Sequence, residues 1–518
     1  MGLARMAHRR STLCSLSRCL TQPGLWSRGF ASLPDPIGEE QGPINSKDGK
    51  VLHPELLNTN FVNAEYAVRG ELYLKGEELR KQGKEIIFTN VGNPHALGQK
   101  PRTFNRQVMS LVTCPTLLDH PKVGELFPAD VIARAKQCST YFNGGLGAYT
   151  DSRGSEGVRK EVAAYIEKRD GYPSSPDQIF LTDGASPAVR YMLNAIIRND
   201  KDGILVPVPQ YPLYSASIQL LGGKLLGYYL REDSNWSMDI PSVKRQVAQA
   251  RSEGIAVRGL VFINPGNPTG QCLSYDNLKD IIQFCQEEEI VLMADEVYQT
   301  NIYQDERPFV SCKKVMMDMG EPYSKHELLS FHTVSKGALG ECGLRGGYVE
   351  TTNIHPGTVD QIYKIASINL SPNTTGQLGM ALMVNPPEEG SESYEQWKQE
   401  ESSVMESLRR RAQIMTDGFN ACEGVSCTFT EGAMYSFPRL DLPQKAVQAA
   451  KQAGKSPDTF YCLKLLEDTG ILTVPGSGFG QEEGTLHLRT TILPMEEKIK
   501  EVMSLFQNFH KKFMDEYR

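Results

Sequence analysis

Short apolar runs alternate with amphipathic stretches through the middle of the chain, and this rhythm restricts the fold more than any other feature. Strands that are apolar at nearly every position are buried on both faces, which is typical of a mostly parallel sheet covered by helices. We therefore predict an α/β fold with strands near residues 178–181, 204–208, 259–263, 290–294 and 328–331, and with helices near 188–198 and 275–289.

Polar residues follow four of these predicted strands. They are TDGASP at 182–187, NPGNPTG at 264–270, DEVY at 295–298 and HTVSKG at 332–337. In open α/β sheets, ligands bind beyond the carboxyl ends of the strands. The sequence therefore predicts one ligand site built from these four segments.

Three of the segments carry chemistry that fits one cofactor. The turn at Gly184, Ala185 and Ser186 can hold a phosphate at a helix N-terminus, although Ser186 could simply be an N-cap. Asp295 ends an apolar strand and needs a cationic partner, either a protonated ring nitrogen or a core arginine. Lys336 could be an amine nucleophile or an ordinary surface lysine. An acid, an amine and a phosphate pocket together indicate pyridoxal phosphate.

The chain also resembles a known family over residues 60–510. The stretches NPGNPTG (264–270), ADEVY (294–298) and SKG to RGG (335–347) are similar to those of the fold-type I pyridoxal-phosphate aminotransferases. TDGASP (182–187), PQYPLY (209–214) and the GECG segment before Arg345 look most like the alanine aminotransferase branch. The resemblance implies a large domain with a mostly parallel, seven-stranded type of sheet and a smaller α+β domain.

The resemblance assigns roles to individual residues. Lys336 would bond to the cofactor and, once released, would move the proton between the substrate Cα and the cofactor. Asp295 would keep the ring nitrogen protonated. The remaining cofactor contacts are Ala185, Ser186, Thr333, Ser335 and Arg345 for the phosphate, Asn267 and Tyr298 for the ring 3′ oxygen, and Tyr211 for the ring face.

Substrate contacts and a dimer are implied in the same way. Arg489 would bind the α-carboxylate, and Gly92 resembles a residue of the segment that closes over the substrate, although a plain turn glycine would look the same. Tyr149 resembles the residue that reaches the phosphate from the neighbouring subunit, which implies a homodimer with composite active sites.

The expected reaction converts L-alanine and 2-oxoglutarate to pyruvate and L-glutamate by a ping-pong mechanism. The small-molecule partners are then amino acids and 2-oxo acids. Alternatives are another transaminase that uses aromatic amino acids, kynurenine or glyoxylate, a synthase of the aminocyclopropane-carboxylate type, or a non-catalytic regulator that binds the cofactor. Architecture alone does not separate these alternatives.

The first 33 residues differ from the rest of the chain. They contain five arginines, several serines and no acidic residue, which is typical of a mitochondrial presequence, although a plain basic tail has the same composition. We therefore expect the mitochondrial matrix as location. The expected organisation is a presequence at 1–33, an arm and part of a small domain at 34–115, a large domain at 116–384 and the rest of the small domain at 385–518.

The overall composition excludes several partners. With 55 Lys and Arg against 62 Asp and Glu, the chain is net acidic, which argues against binding to nucleic acid. No apolar run reaches the 18 residues or so that a spanning helix needs, so no membrane partner is expected. The eleven cysteines are scattered without metal-ligand spacing, which predicts free thiols and no metal site.

Overall fold

The structure is a computed structural model that describes residues 49–50, 52–66 and 70–518. The presequence predicted at 1–33 lies outside the described residues. The chain divides into two compact units, Met1–Val62 and Asn63–Arg518. The described part of the first unit contains a 3₁₀ turn at Pro54–Leu56 and a short helix, α1, at Thr59–Val62. All strands of the described residues, and the helices after α1, lie in the second unit.

The strands differ greatly in length: the long strands form the central sheet, and most of the two-residue strands lie in the C-terminal part. In the described residues they are β1 (Ile87–Phe88), β2 (Ile179–Thr182), β3 (Asp202–Val208), β4 (Lys224–Arg231), β5 (Ser237–Met238), β6 (Ala256–Ile263), β7 (Val291–Asp295), β8 (Leu328–Thr333), β9 (Gly347–Thr352), β10 (Val425–Ser426), β11 (Tyr435–Ser436), β12 (Arg439–Leu440), β13 (Ile471–Leu472), β14 (Val474–Pro475) and β15 (Leu488–Thr491).

Helices occupy most of the chain between these strands. After α1 they are α2 (Glu71–Lys81), α3 (Thr103–Thr113), α4 (Pro115–Leu118), α5 (Val123–Leu126), α6 (Ala129–Ser139), α7 (Glu156–Asp170), α8 (Ala185–Ile196), α9 (Leu213–Leu220), α10 (Ile240–Ser252), α11 (Tyr275–Glu287), α12 (Cys312–Asp318), α13 (Pro356–Ile368), α14 (Thr374–Val384), α15 (Tyr394–Asn420), α16 (Gln444–Gln452), α17 (Pro457–Thr469) and α18 (Glu496–Tyr517).

The central sheet has the strand order β2-β9-β8-β7-β6-β3-β4-β5. The neighbours from β8 to β4 pair in parallel, whereas β9 runs antiparallel to both β2 and β8. The predicted α/β fold with a mostly parallel sheet is confirmed. The eighth strand, β5, is a two-residue antiparallel addition at the edge, which the seven-stranded expectation did not include.

Both faces of this sheet are covered, as the apolar strands predicted. Alternate residues of each strand point to opposite faces. Ile204 and Val206 pack in one apolar cluster with residues of α8, α9 and α13, whereas Leu205 packs in another with residues of α10, α11 and α12. The sheet is therefore the middle of three layers, and its carboxyl-terminal edge stays free for a site.

The C-terminal part forms a second, smaller set of sheets. The antiparallel strands β11, β15 and β14 lie side by side, and β1 from the N-terminal region pairs in parallel with β13. The long helix α15 buries Leu408, Ala412, Met415 and Phe419 along one face. It begins at Tyr394, in a polar segment rich in Glu, Gln and Lys, which are good helix formers.

No helix of the described residues is long and apolar enough to cross a membrane. The nine cysteines within the part of the chain that the structure covers are all free thiols.

Candidate active site

The carboxyl ends of β2, β6, β7 and β8 meet at one edge of the sheet, where a cavity of about 460 Å³ opens. Twelve of the thirteen residues predicted for the site line this cavity. They are Gly92, Ala185, Ser186, Tyr211, Asn267, Asp295, Tyr298, Thr333, Ser335, Lys336, Arg345 and Arg489. The thirteenth, Tyr149, is 78% exposed and does not line the cavity of its own chain.

One end of the cavity is built to hold an anion. Helix α8 begins at Ala185, and its N-cap is Gly184, which makes no side-chain cap. Ser186 therefore lies inside the first turn, so the alternative that it is simply an N-cap is wrong. The first backbone N–H groups of a helix have no partner within the helix and carry a partial positive charge. Arg345 adds a full charge beside them, because its Nη2 donates to Asp183 O at 3.0 Å.

Gly184 is required by this arrangement. Its φ of 88° and ψ of 173° lie in a region that is essentially restricted to glycine. A Cβ placed there would lie 2.9 Å from Arg345 Cζ and closer still to Nη2. The guanidinium can therefore lie against the turn only because position 184 has no side chain.

Two hydroxyl groups line the same end. Thr333 donates its proton to Gly346 O at 2.7 Å and accepts a hydrogen bond from Ser335 N at 3.2 Å. A hydroxyl carries one proton, so Thr333 has none left for a ligand while this bond lasts. Ser335 Oγ lies 3.0 Å from Thr333 Oγ1 and has its own proton to donate, either to Thr333 or to a bound anion.

A buried carboxylate lies at the centre of the cavity. Asp295, at the end of β7, is 5% exposed and accepts a hydrogen bond from Tyr214 Oη at 2.7 Å. Burial raises the pKa of Asp295 to about 6, although the Tyr214 hydroxyl, the Val297 amide and the charge of Lys336 all favour the ionised form. No arginine of the described residues pairs with Asp295, so a cation that binds in the cavity can be its partner.

Lys336 reaches the cavity from the loop that follows β8. Its Nζ donates to Gly92 O at 3.1 Å and lies 5.6 Å from the centroid of the Tyr298 ring. The side chain is half-buried, so Lys336 is not an ordinary surface lysine. A Cβ at Gly92 would lie 2.9 Å from Lys336 Nζ and 2.5 Å from Tyr435 Oη, so this glycine is needed for close packing and not only for a turn.

Arg489, on β15, is the third cation and is only 1% exposed. Its guanidinium carbon lies 4.5 Å from the centroid of the Tyr435 ring and 4.6 Å from that of Phe479. Nη1 donates to Asn267 Oδ1 at 3.3 Å, and Nη2 donates to Asn90 O. Nε is buried and has no partner, which leaves a donor for a ligand.

Several residues of the site were not predicted. Tyr214 lies one helical turn after Tyr211 within the quoted PQYPLY stretch, and this spacing could have suggested it. Tyr66 Oη lies 2.5 Å from Tyr211 Oη, and Tyr435 Oη accepts a hydrogen bond from Tyr298 Oη at 3.1 Å. Neither Tyr66 nor Tyr435 lies in a motif. Only the tertiary fold brings them to the cavity.

The lining as a whole carries three cations, Lys336, Arg345 and Arg489, against one carboxylate, Asp295. Such an excess of positive charge fits ligands that bear a phosphate or carboxylates. The two anion-binding ends are distinct, because Arg345 lies at the helix N-terminus and Arg489 lies on a strand of the C-terminal sheet.

Comparison with known proteins identifies the family. The sequence model of the family of class I and II aminotransferases matches residues 121–505, so the chain belongs to this family. It is a fold-type I enzyme that depends on pyridoxal phosphate, as the motifs indicated, and the alternative of a non-catalytic regulator is not supported. The residues present fit the cofactor, since the cavity combines the amine of Lys336 with the buried carboxylate of Asp295. It also contains the turn at Gly184, where Arg345 lies so close that a Cβ has no room.

Individual relatives span nearly the whole chain. A glutamate–glyoxylate aminotransferase from Arabidopsis thaliana is 66% identical over 90% of this chain and 98% of its own length. A probable mitochondrial alanine aminotransferase from Dictyostelium discoideum is 50% identical over 89% of both chains. Among solved structures, the alanine aminotransferase of Pyrococcus furiosus has a TM-score of 0.70 and 24% identity, and the match covers 88% of this chain and 100% of that one. At this identity the structural match shows the fold alone.

Proposed function

We propose that this enzyme interconverts L-alanine and 2-oxoglutarate with pyruvate and L-glutamate by a ping-pong mechanism. The observation that carries the proposal is that Arg489 and Lys336 line one cavity. A guanidinium that can bind a carboxylate and a reactive amine can therefore act on the same small molecule. The Dictyostelium relative named for alanine supports the choice of substrate.

Lys336 is the proposed catalytic residue. When bound, pyridoxal phosphate supplies an electron sink for the negative charge that develops at the substrate Cα. Lys336 would hold the cofactor in the resting enzyme. When not bonded to the cofactor, its Nζ would take the proton from the substrate Cα and return it at the cofactor carbon. The Gly92 carbonyl, 3.1 Å from Nζ, orients the amine for this transfer.

Asp295 is proposed to hold the proton on the cofactor ring nitrogen. A protonated ring nitrogen would in turn stabilise the ionised form of the buried carboxylate, whose pKa burial raises to about 6. Asn267 and Tyr298, whose side chains lie 3.4 Å apart, would bind the ring 3′ oxygen. Tyr211 would stack on the ring face, a contact that typically adds about 0.5–1.5 kcal/mol beyond burial.

The phosphate is proposed to lie at the N-terminus of α8. Its ligands would be the backbone N–H of Ala185 and the hydroxyls of Ser186, Thr333 and Ser335, with Arg345 as the charged group. For Thr333 to donate, its proton must leave Gly346 O. Ser335 needs only a rotation of its hydroxyl, so we expect it to contribute more.

Arg489 is proposed to bind the α-carboxylate that all four substrates share. A planar guanidinium held between two rings offers two parallel N–H donors, which fixes the direction of the Cα–H bond. Gly92 lets the backbone of its segment close over the substrate, since any Cβ there would meet Lys336 and Tyr435.

Use of glyoxylate as the amino acceptor is a second candidate. The Arabidopsis relative named for glutamate and glyoxylate is 66% identical to this chain, against 50% for the Dictyostelium relative named for alanine. Both reactions need the same lysine and the same carboxylate-binding guanidinium, and they differ in the amino donor, alanine or glutamate, and in the oxo acid that regenerates the resting enzyme.

Two half-reactions separate these candidates. The purified protein is loaded with pyridoxal phosphate, and the loss of its visible absorption band is followed in a stopped-flow instrument after L-alanine, L-glutamate, L-tyrosine or L-kynurenine is added. The amino form is then mixed with pyruvate, 2-oxoglutarate or glyoxylate, and recovery of the band is timed.

Fast conversion by L-alanine with recovery by 2-oxoglutarate is the expected result. Recovery by glyoxylate that is at least tenfold faster than by 2-oxoglutarate would favour the second candidate. Conversion by an aromatic amino acid and by neither L-alanine nor L-glutamate would contradict both. A Lys336→Ala variant is the control, because it should bind the cofactor without conversion.

A homodimer with composite active sites is also proposed. The loop that carries Tyr149 is fixed to the segment after α13, since Thr150 N donates to Ser371 Oγ at 3.1 Å and Ser152 Oγ donates to Leu370 O at 2.7 Å. Tyr149, Ile368 and Leu370 are exposed there, and together they form an apolar projection suited to a second copy. Light scattering tests the dimer, and weaker cofactor binding by a Tyr149→Ala variant that remains dimeric would support the shared site.

The remaining proposals concern organisation and location. The pairing of β1 with β13 supports a small domain made from residues 34–115 and 385–518, with 116–384 as the large domain. The relative named as mitochondrial, together with the acid-free composition of residues 1–33, supports import into the mitochondrial matrix after cleavage of a presequence. N-terminal sequencing of the organellar protein tests the cleavage, and a chain that begins at Met1 would contradict it.

A further inference from the structure

Tyr435 contacts both functional halves of the cavity, although nothing in the motifs pointed to it. It lies on β11, which pairs antiparallel with β15, the strand that carries Arg489. The residue is 3% exposed, and its ring and its hydroxyl meet different partners.

The ring of Tyr435 holds Arg489. The guanidinium carbon lies 4.5 Å from the Tyr435 ring centroid, and Phe479 lies at 4.6 Å from the same carbon. Both distances are within the range of a cation–π contact, and burial strengthens such a contact. The two rings together limit the rotation of the fork, whose Nε has no hydrogen-bond partner.

The hydroxyl of Tyr435 faces the other half of the cavity. It accepts a hydrogen bond from Tyr298 Oη at 3.1 Å. It also lies against Gly92, since a Cβ on that glycine would be 2.5 Å from Tyr435 Oη and 2.9 Å from Lys336 Nζ. A hydroxyl carries one proton, so Tyr298 has none left for a ligand while it donates to Tyr435.

We propose that Tyr435 is a positioning residue with two separable functions: its ring orients Arg489 for the substrate carboxylate, and its hydroxyl accepts the Tyr298 proton beside Lys336. This inference rests on the roles proposed above for Lys336, Tyr298 and Arg489.

The charges around Tyr435 agree with an acceptor role for its oxygen. Burial raises the pKa of a phenol, but the charges of Lys336 and Arg489 and the hydrogen bond from Tyr298 outweigh it, and the pKa of Tyr435 falls below its usual value. Tyr211 is a further titratable group that interacts with Tyr435. By contrast, burial and the neighbouring Tyr435 raise the pKa of Tyr298, so Tyr298 keeps the proton that it donates to Tyr435.

Two nested variants separate the functions. Tyr435→Phe keeps the ring and removes the hydroxyl, whereas Tyr435→Leu removes both. The matched control is Tyr461→Phe, because Tyr461 is buried in the same apolar cluster and bonds to His510 at 2.8 Å, but does not line the cavity. All variants are purified as the holoenzyme, and their cofactor content is measured.

The first readout is the pH midpoint of the visible absorption band of the bound cofactor, without substrate. Without Tyr435 Oη, the Tyr298 proton turns to the cofactor oxygen, and the positive charge beside Lys336 loses a nearby acceptor. Both changes favour loss of the proton that carries the positive charge at Lys336. The pH midpoint of the absorption band of Tyr435→Phe should therefore fall by about 0.4–1 unit, which corresponds to one hydrogen bond.

The second readout is the affinity for propionate, which carries the carboxylate and methyl group of alanine but no amino group. Loss of one cation–π contact should raise the Kd of Tyr435→Leu by about 2–30-fold, whereas Tyr435→Phe should bind propionate like the unmodified enzyme. Tyr461→Phe should change neither readout.

An unchanged midpoint in Tyr435→Phe would overturn the function of the hydroxyl, and unchanged propionate affinity in Tyr435→Leu would overturn that of the ring. If Tyr435→Leu does not fold, Tyr435→Trp takes its place, because a displaced ring should also weaken propionate binding. Failure of the proposed enzyme function looks different, since L-alanine would then not convert the absorption band of the unmodified protein, whereas the pH midpoint of that band could still be measured.

Discussion

Replacement of Gly184 by alanine tests the anion-binding end of the cavity. The new Cβ would lie 2.9 Å from Arg345 Cζ, and it would force a backbone conformation of φ 88° and ψ 173° on a residue with a side chain. The backbone strain destabilises the protein by about 1–3 kcal/mol. The displaced guanidinium in addition weakens its contact with a phosphate, which is typically worth about 1.5–3 kcal/mol.

These two effects fall on different measurements. The backbone strain lowers the free energy of unfolding, whereas displacement of Arg345 lowers the affinity for pyridoxal phosphate by about 10–150-fold. Affinity is measured by equilibrium dialysis of the cofactor-free protein against pyridoxal phosphate, and stability is measured by denaturant unfolding.

Gly171→Ala is the matched control. Gly171 also has a positive φ, 77°, at the C-terminus of α7, but a Cβ there would have no atom within 4 Å. It should lose about 1–2 kcal/mol of stability and keep full cofactor affinity. In an Arg345→Ala background, Gly184→Ala should weaken cofactor binding little further. Full affinity of Gly184→Ala for pyridoxal phosphate would refute the assignment of this turn as the phosphate site.

Three further predictions address other parts of the molecule. Tyr214→Phe removes the hydrogen bond that stabilises ionised Asp295, so the pKa of Asp295 should rise above about 6. On acidification, the variant should therefore lose its affinity for the cofactor at a higher pH than the unmodified protein. An unchanged pH midpoint in dialysis would contradict this. Lys313→Met leaves buried Glu350 without its partner at 2.6 Å and should lower unfolding stability by about 3–5 kcal/mol, which Lys313→Met with Glu350→Leu should largely restore. Arg489→Lys loses the planar fork, so the KM values for alanine and glutamate should rise together by about tenfold or more, with the cofactor band unchanged. A rise for only one substrate would argue against α-carboxylate binding.

The sequence was most informative about the central sheet and its edge. The apolar runs predicted β3, β6, β7 and β8 to within a few residues, because a strand buried on both faces must be apolar at nearly every position. The polar residues after those strands reach one cavity for the same reason, since parallel strands bring their carboxyl ends to one edge. The strands β4, β5 and β9 were not predicted, because glycine and polar residues interrupt their apolar residues.

Local sequence by itself determined the apolar strands, the glycine at 184, and the positions of Asp295 and Lys336 relative to their strands. The tertiary structure decided which distant residues complete the cavity. Tyr435 lies 99 residues from Lys336 in the sequence, and Arg489 lies 399 residues from its partner Asn90. Such contacts depend on how the C-terminal sheet packs on the central one, and a single sequence carries no periodicity that reports this packing.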